Sequence, residues 1–190
     1  MGGNYNLKIK GSIQKIFSEN DYSPELADVV IKLDEYRKAD TAHDSCHALS
    51  SVLFVALSEL GYHPKLIIGE CQHNGKEPFD HSWVTLDGMI IDIAPDRSSE
   101  DEGEPGIVIL DTDIRHNKKY TLHYGINSGL LMSSEAVRVM NSLFPDYMSG
   151  CPWEKHGLWT VLEMIMPNGY EADIPQLKIK YQNVQREFIR

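Results

Sequence analysis

Residues 46–61 read CHALSSVLFVALSELG, and their apolar side chains recur at the three- and four-residue spacing of an amphipathic α-helix. Gly61 follows the last periodic residue, which is typical of a helix C-terminus. The apolar stripe consists of Cys46, Leu49, Leu53, Ala56, Leu57 and Leu60. The pattern therefore predicts a central helix that carries a cysteine in its first turn, on the buried face.

Beyond this helix the apolar residues recur with a period of two, which is typical of antiparallel strands. Three strands are predicted, KLIIGECQ (65–72), FDHSWVTL (79–86) and MIIDIA (89–94). The dipeptide Asp87-Gly88 predicts a two-residue turn between the last two, because both central positions of a type I′ turn need a left-handed backbone. These two strands are therefore predicted to form a hairpin.

The turn fixes which side chains share a face of this hairpin. With Asp87 and Gly88 as the turn residues, Trp83 faces Asp92 on the partner strand. Because side chains alternate between faces, His81 projects to the same face as Asp92. The two are diagonal neighbours at roughly 7–8 Å between backbone positions, within reach for a carboxylate to hydrogen-bond an imidazole.

Helix and hairpin together supply the three groups of a cysteine-nucleophile site. A helix N-terminus stabilises a thiolate through its exposed N–H groups and its dipole, which favours Cys46 as the nucleophile. His81 would be the base, and Asp92 would orient it. Packing of the helix's apolar stripe on the face that carries His81 would bring sulfur and imidazole together. The N–H of Cys46 would be one oxyanion donor, and the second stays unassigned.

Several other acidic residues compete for the orienting role. They are Asp44, Asp80, Asp87 and Asp96. Strand alternation places Asp80 on the opposite face and Asp87 in the turn, so Asp92 is preferred. An alternative interpretation stays open, in which the cysteine is a small buried hydrophobe and the histidine and aspartate form a structural cross-strand pair.

Three further residues are predicted to line a substrate pocket. Trp83 is expected to be core or a wall of the site. His47 points about 100° away from its neighbour Cys46, which makes it a poor base and favours a surface or substrate-facing position. His43, in the preceding loop, is a candidate pocket residue.

A metal site is a rival interpretation of the same histidines and cysteines. Cys71 and His73 could join Cys46 and His81 around zinc, but no two cysteines show the short C-x-x-C spacing of structural zinc. Neither a metal nor another cofactor is therefore predicted.

The chain of 190 residues is predicted to be a single α+β domain, in which helices pack on an antiparallel sheet. Residues 1–39 form a helical N-terminal lobe, residues 40–95 the core, and residues 96–190 additional elements of unclear role. In the lobe, GSIQKIFSE (11–19) is predicted to be helical, and a second helix is predicted to begin at Ser23-Pro24, with Ser23 as its N-cap.

Predictions for the last part of the chain are less complete. Residues 96–106 are predicted to be an acidic surface loop, followed by a strand at IVIL (107–110). SSEAVRVMNSLF (133–144) is predicted to be a helix with a serine cap and a loop after it. GLWTVLEMIM (157–166) fits strand or helix, and the C-terminal tail stays open.

Charge and composition exclude some classes of partner. The formal net charge is −10, which disfavours binding to nucleic-acid phosphates. Three widely spaced cysteines fit a reducing compartment better than a disulfide framework. No apolar run reaches the roughly 18 residues that cross a bilayer, and no secretory signal opens the chain. We predict a cytoplasmic protein without a nucleic-acid or membrane partner.

Two stretches resemble the core of transglutaminase-like proteins, a papain-related superfamily. In that family the catalytic cysteine opens a helix that ends in Leu-Gly, as Cys46 does here, and a strand ending in glycine follows. DHSWVTLDGMIIDIAP (80–95) is similar to the family's His-x-Trp strand and the Asp-bearing strand after it. The likeness spans about 50 residues, Cys46 to Pro95. The family often has an acidic residue soon after the nucleophile, where this chain has His47-Ala48.

The resemblance implies cysteine-dependent acyl chemistry on an amide of a peptide or protein substrate, without a cofactor. Hydrolysis, deamidation and transfer to an amine are all consistent with it. Arylamine-acetyltransferase-like transfer from an acyl thioester and a catalytically silent peptide-binding module are the alternatives.

Overall fold

The computed structural model describes residues 2–39, 46–73, 76–95, 106–151 and 155–190. Within these ranges the chain forms seven helices and nine strands, which confirms the α+β class. No helix in the described ranges is both long and apolar enough to cross a membrane.

The helices fall in two groups, three within residues 2–59 and four within residues 134–180. They are α1 (Gly2–Glu19), α2 (Pro24–Ala39), α3 (Cys46–Glu59), α4 (Ser134–Asn141), α5 (Phe144–Ser149), α6 (Leu158–Ile165) and α7 (Ile174–Lys180). The strands are β1 (Lys65–Gln72), β2 (Phe79–Leu86), β3 (Met89–Asp92), β4 (Val108–Ile109), β5 (Thr112–Asp113), β6 (Lys118–Lys119), β7 (His123–Ile126), β8 (Lys155–Gly157) and β9 (Glu187–Ile189).

Eight of these strands form one sheet in the order β6-β5-β4-β3-β2-β1-β7, and β9 also pairs with β1. All pairings are antiparallel except that of β9 with β1. β9 pairs with residues 67–69 of β1 and β7 with residues 70–72, so the two strands share one edge of β1. The last strand of the chain thereby lies against β1, beside β7.

The close approach of β9 depends on Gly69. A Cβ atom at this position would overlap the carbonyl oxygen of Ile189, closer than any side chain tolerates. The glycine therefore permits the C-terminal strand to dock against β1.

The predicted hairpin between β2 and β3 is confirmed. Leu86 pairs with Met89 and Val84 with Ile91, which leaves Asp87 and Gly88 as the two turn residues. Their φ angles of 51° and 82° are left-handed, as a type I′ turn requires. The side chain of Asp87 accepts a hydrogen bond from the hydroxyl of Tyr22 (2.7 Å), so the turn is also tied to the N-terminal lobe.

The main core lies between α3 and one face of the sheet. α3 buries Val52, Leu53 and Ala56 among side chains of α2 and α6 and against Val84 and Leu86 of β2. The opposite face of the sheet carries a second, smaller cluster. It consists of Ile67, Cys71, Trp83, Ile90, Val108 and Leu122, with Phe79, Tyr120 and Tyr124 against it.

Packing of the apolar stripe of α3 on the face that carries His81 and Trp83 would bring sulfur and imidazole together, but the stripe packs on the face that carries Val84 and Leu86. The physical reason is that aromatic and aliphatic side chains from β7 and the residues before it already cover the Trp83 face. The contact between Cys46 and His81 is made instead at the N-terminal end of the helix.

Both predicted N-caps are present. The Ser23 hydroxyl accepts a hydrogen bond from the N–H of Leu26 (3.4 Å) at the start of α2, and the Ser133 hydroxyl accepts one from Ala136 (3.1 Å) at the start of α4. α1 extends the first predicted helix back to Gly2.

Two predictions downstream of the hairpin are wrong in part. The strand expected at IVIL stops at Ile109, because Leu110 and Asp111 have φ angles of 46° and 63° and form the next turn. The loop expected after α4 contains the short helix α5, which has a proline near its start, where a proline's missing N–H costs nothing. Residues 157–166, left open between strand and helix, form α6 after a glycine.

Candidate active site

Cys46 is the first residue of α3, and only 8% of it is exposed. Its thiol hydrogen-bonds with the imidazoles of His47 and His81. A sulfur at this position also sees the positive end of the helix dipole. The predicted meeting of sulfur and imidazole is therefore present.

His81 is fully buried in β2 and bridges the thiol and a carboxylate. Its Nε2–H donates to Oδ2 of Asp92 at 2.7 Å, since an ionised carboxylate can only accept. With Nε2 engaged in this way, Nδ1 is the ring nitrogen left to hydrogen-bond with the thiol of Cys46. The carboxylate thus fixes both the tautomer and the orientation of the ring.

Asp92, at the end of β3, collects three hydrogen-bond donors. Besides His81, the hydroxyl of Tyr124 donates to Oδ2 at 2.7 Å, and the N–H of Ala94 donates to Oδ1 at 2.9 Å. The side chain is buried and held from three directions. It can therefore orient the imidazole without moving itself.

Charge stabilises the ionised forms of the thiol and the imidazole. Burial alone would raise the pKa of Cys46, but the charge of His81 and hydrogen bonds from His47 and His81 outweigh it and lower the pKa to about 5. Burial alone would lower the pKa of His81, but the charges of Asp92 and Cys46 raise it to about 10. Near neutral pH the pair is a thiolate and an imidazolium, which is the reactive state of a cysteine nucleophile.

His47 lies inside the protein, which corrects the prediction of a surface position. Its Nδ1 is 2.6 Å from the hydroxyl oxygen of Ser82 on β2, and its side chain hydrogen-bonds with Cys46. The 100° step along the helix turns this ring toward the sheet, because α3 packs on β2 and its second residue meets Ser82. An Nδ1 that accepts from Ser82 leaves Nε2–H to donate to the sulfur. His47 is thus placed where it can position the thiolate.

A matched pair of substitutions tests this role. His47→Asn keeps a polar atom near Nδ1 and removes the one near Nε2, whereas His47→Gln does the reverse. Loss of one hydrogen bond to a charged group, about 1.5 kcal/mol, should raise the pKa of the thiol by about one unit. We expect the pH midpoint of Cys46 alkylation to move upward in His47→Asn and to stay nearer the wild-type value in His47→Gln. Equal midpoints in all three proteins would contradict the assignment.

Aromatic rings enclose the imidazole of His81. Trp83 stacks on it with a centroid distance of 6.3 Å and an interplanar angle of 15°. Phe79 lies edge-on at 5.7 Å, and Tyr124 lies at 6.3 Å. Trp83 is buried, so its position fits a core residue or a wall of the site and does not expose the ring to a substrate.

Tyr124 was missed by the sequence analysis. The strand that carries it has four residues, HYGI, and its pairing partner lies more than fifty positions earlier in the chain. No local pattern joins it to Asp92. Tyr120, Leu122 and Tyr124 recur with a period of two. This spacing is the one signal in the sequence that these side chains share a face.

The competing acidic residues are accounted for where the structure describes them. Oδ2 of Asp80 accepts from the backbone N–H of Ser133 (2.6 Å), away from His81, as strand alternation predicted. Asp87 lies in the turn. Asp44, Asp96 and the predicted pocket residue His43 lie outside the described residues.

The metal alternative receives no support from the part of the chain that the structure describes. No group of three or more histidine, cysteine and acidic side chains is gathered there as a metal site. Cys71 is buried, and burial together with the charges of Asp92 and Cys46 raises the pKa of its thiol well above the usual value. The Cys71 thiol therefore resists ionisation, whereas an activated cysteine ionises readily.

Comparison with known proteins does not identify a relative of this chain, so the functional conclusion rests on the geometry of the site. No protein-family model matches the chain, and neither a curated protein nor a solved structure matches it.

Proposed function

We propose that the protein is a cysteine-dependent hydrolase or acyltransferase that acts on amide bonds of a peptide or protein. One observation carries this proposal, namely the contact of the Cys46 thiol with an imidazole that a carboxylate holds at 2.7 Å. Burial of a thiolate and an imidazolium costs folding free energy unless other groups compensate their charges. Such charge pairs concentrate at catalytic sites.

The proposed reaction begins with attack of the Cys46 thiolate on the carbonyl carbon of the substrate. A C–S bond forms, the carbonyl electrons move to oxygen, and the N–H of Cys46 stabilises that oxyanion. As the C–N bond breaks, the imidazolium of His81 gives its proton to the leaving amine. Water or a second amine then attacks the thioester, with neutral His81 as the base and the Cys46 thiolate as the leaving group.

We also propose that the chain is a remote transglutaminase-like protein. The order of cysteine, histidine and aspartate supports this assignment, as do a helix that opens with the cysteine and a hairpin that carries the other two. We also propose that the protein is cytoplasmic.

Alkylation of the thiols tests the proposed function. Iodoacetamide at about pH 6, followed by peptide mass spectrometry, should label Cys46 before Cys71 and Cys151. A thiol of pKa about 5 is almost wholly ionised at that pH, and although a low pKa reduces nucleophilicity, we expect labelling about tenfold faster than for an ordinary exposed thiol. Labelling of Cys46 no faster than of the others would favour a catalytically silent binding module.

The pH dependence of labelling and of turnover provides a second test of the proposed function. The alkylation rate should rise through about pH 5, where the thiol ionises, and then stay level. Turnover of an active ester or amide should rise in the same range and fall above about pH 10, where His81 loses the proton that the leaving group needs. During turnover of 4-nitrophenyl acetate, rapid acid quenching should trap one acetyl group on Cys46.

A further inference from the structure

Arg186, which directly precedes β9, is a buried cation without an anionic partner among the described residues. It is 9% exposed, and its Nη1 donates to the carbonyl oxygen of Val139 at 3.0 Å. Its Nε and Nη2 have no hydrogen-bond partner in the described part of the chain and are closed to solvent. An unpaired buried donor costs free energy, and two on one guanidinium are unusual.

The two unpaired atoms form one side of the guanidinium. Nε–H and Nη2–H point in parallel from that side, which is the geometry that grips the two oxygens of a carboxylate. The ring of Tyr147 lies 4.6 Å from the guanidinium carbon, and that of Phe144 lies 5.5 Å from it. These contacts hold the fork in one orientation, so its donors are in place before a ligand arrives.

Tyr147 also connects this cation to the candidate active site. Its ring packs against the cluster that contains Ile68, and Ile68 pairs across the sheet with Ser82, the partner of His47. Burial raises the pKa of Tyr147, and the charge of Cys46 raises it further, whereas that of Arg186 lowers it. Tyr147 thus contacts the guanidinium and belongs to α5, which packs against α3, the helix that Cys46 opens.

We infer that Arg186 binds a carboxylate group of the substrate beside Tyr147, next to the nucleophile Cys46. The inference rests on the proposed function and narrows its substrate class to acidic peptides or peptides with a free C-terminus. A phosphate would need more donors than one fork provides, and the described residues place no second cation in contact with this guanidinium. Because both donors are closed to solvent, a side chain that covers them has to move when the carboxylate enters.

Matched alkylating probes test the inference on the full chain. N-Bromoacetylglycine, N-bromoacetyl-β-alanine and 4-(bromoacetylamino)butanoate carry a carboxylate at increasing distances from the reactive carbon. The N-methylamide of each is the neutral control. In every case the thiolate displaces bromide, so a C–S bond forms as the C–Br bond breaks. The measurement is the ratio of acid to amide rate constants at Cys46, with the site read by peptide mass spectrometry.

We expect one of the acids to alkylate Cys46 about ten- to a hundredfold faster than its amide. The net charge of −10 works against any such preference, so a ratio above one requires a local site. In Arg186→Gln the ratio of acid to amide rate constants should fall to one or below. Arg186→Lys keeps the charge without the fork, and its ratio should lie between the two.

The outcomes separate the two proposals. Preferential labelling of Cys46 with ratios of one or less for all three acids would overturn the role of Arg186 and leave the proposed function standing. Labelling that does not favour Cys46 would overturn both. If Arg186→Gln fails to fold, the ratio in Arg186→Lys still tests the role of Arg186, because a merely structural arginine would change thermal stability without changing the ratio.

Protection by short peptides identifies the source of the carboxylate. The three peptides are N-acetyl-trialanine as the free acid, the same peptide as the C-terminal amide, and that amide with a central glutamate. Slower alkylation with the free acid alone would assign a C-terminal carboxylate, and slower alkylation with the glutamate peptide would assign an acidic side chain. Equal effects of all three peptides would count against the inference.

Discussion

Replacement of Cys46 by alanine is expected to reduce acyl transfer by a factor on the order of 10⁴ to 10⁶. The substitution removes the only sulfur that hydrogen-bonds with His81 among the described residues. Without a nucleophile no thioester can form, so the two-step route closes and only binding and oxyanion contacts remain. The measurement is turnover of the best ester or amide from a substrate library, compared with the wild type.

The folded state should survive this change. In Cys46→Ala the imidazolium of His81 keeps its contact with the carboxylate of Asp92, so no buried charge is left alone. We therefore expect a melting temperature within a few degrees of the wild type. Cys151→Ala is the matched control, because it removes a thiol that does not hydrogen-bond with His81, and it should keep full activity. Wild-type turnover by Cys46→Ala would exclude the proposed nucleophile.

The parts of the fold that were predictable are those with local causes. Asp87 and Gly88 adopt the left-handed backbone that their residue types favour, and the register of the hairpin follows from a turn of two residues. The relation of His81 to Asp92 is a consequence of that register. Ser23 and Ser133 cap helices through bonds to residues three positions later, which is again a local interaction.

Long-range pairing explains what the sequence left open. β9 and β7 have three and four residues and find their place only because β1 offers them an edge, so their own patterns carry little information. The same pairings decide which face of the sheet α3 covers. A prediction from the period of the helix alone could not choose between the two faces.

The candidate site divides along the same line. The triad of Cys46, His81 and Asp92 was predictable because two members share a hairpin and the third opens the helix before it. Tyr124 was not, because it comes from the second half of the chain and reaches the site through the edge of β1. The proposed role of Arg186 was not predictable either, because this residue directly precedes β9, which pairs with the same edge. Tyr124 holds the carboxylate of the triad, and Arg186 is the residue proposed to recognise the substrate.

Replacement of Asp92 by asparagine is expected to lower turnover by a factor on the order of 10² to 10⁴. The asparagine side chain has nearly the same size, and its carbonyl can still accept from the N–H of Ala94, but it carries no charge. Burial then favours neutral His81, because the charge of Asp92 is the largest influence that opposes burial at this imidazole. The amide can also donate to the imidazole and so reverse its tautomer.

The sign of the pH effect follows from the same chain of interactions. A neutral His81 no longer stabilises the thiolate, so the pKa of Cys46 rises from about 5, and the midpoint of its alkylation moves to higher pH. Loss of a nearby opposite charge typically shifts a pKa by about 1–3 units. Alkylation at about pH 6 should therefore slow in Asp92→Asn, while alkylation above about pH 9 should approach the wild-type rate.

Tyr124→Phe is the control that separates charge from packing in Asp92→Asn. It removes one of the three donors to the carboxylate but leaves the charge and the bond to His81 in place. Its alkylation midpoint should stay near that of the wild type, and its turnover should fall by about tenfold or less. An unchanged midpoint in Asp92→Asn, in a protein with wild-type folding, would mean that the thiolate does not depend on the carboxylate. The bond between His81 and Asp92 would then serve only to hold β2 and β3 together.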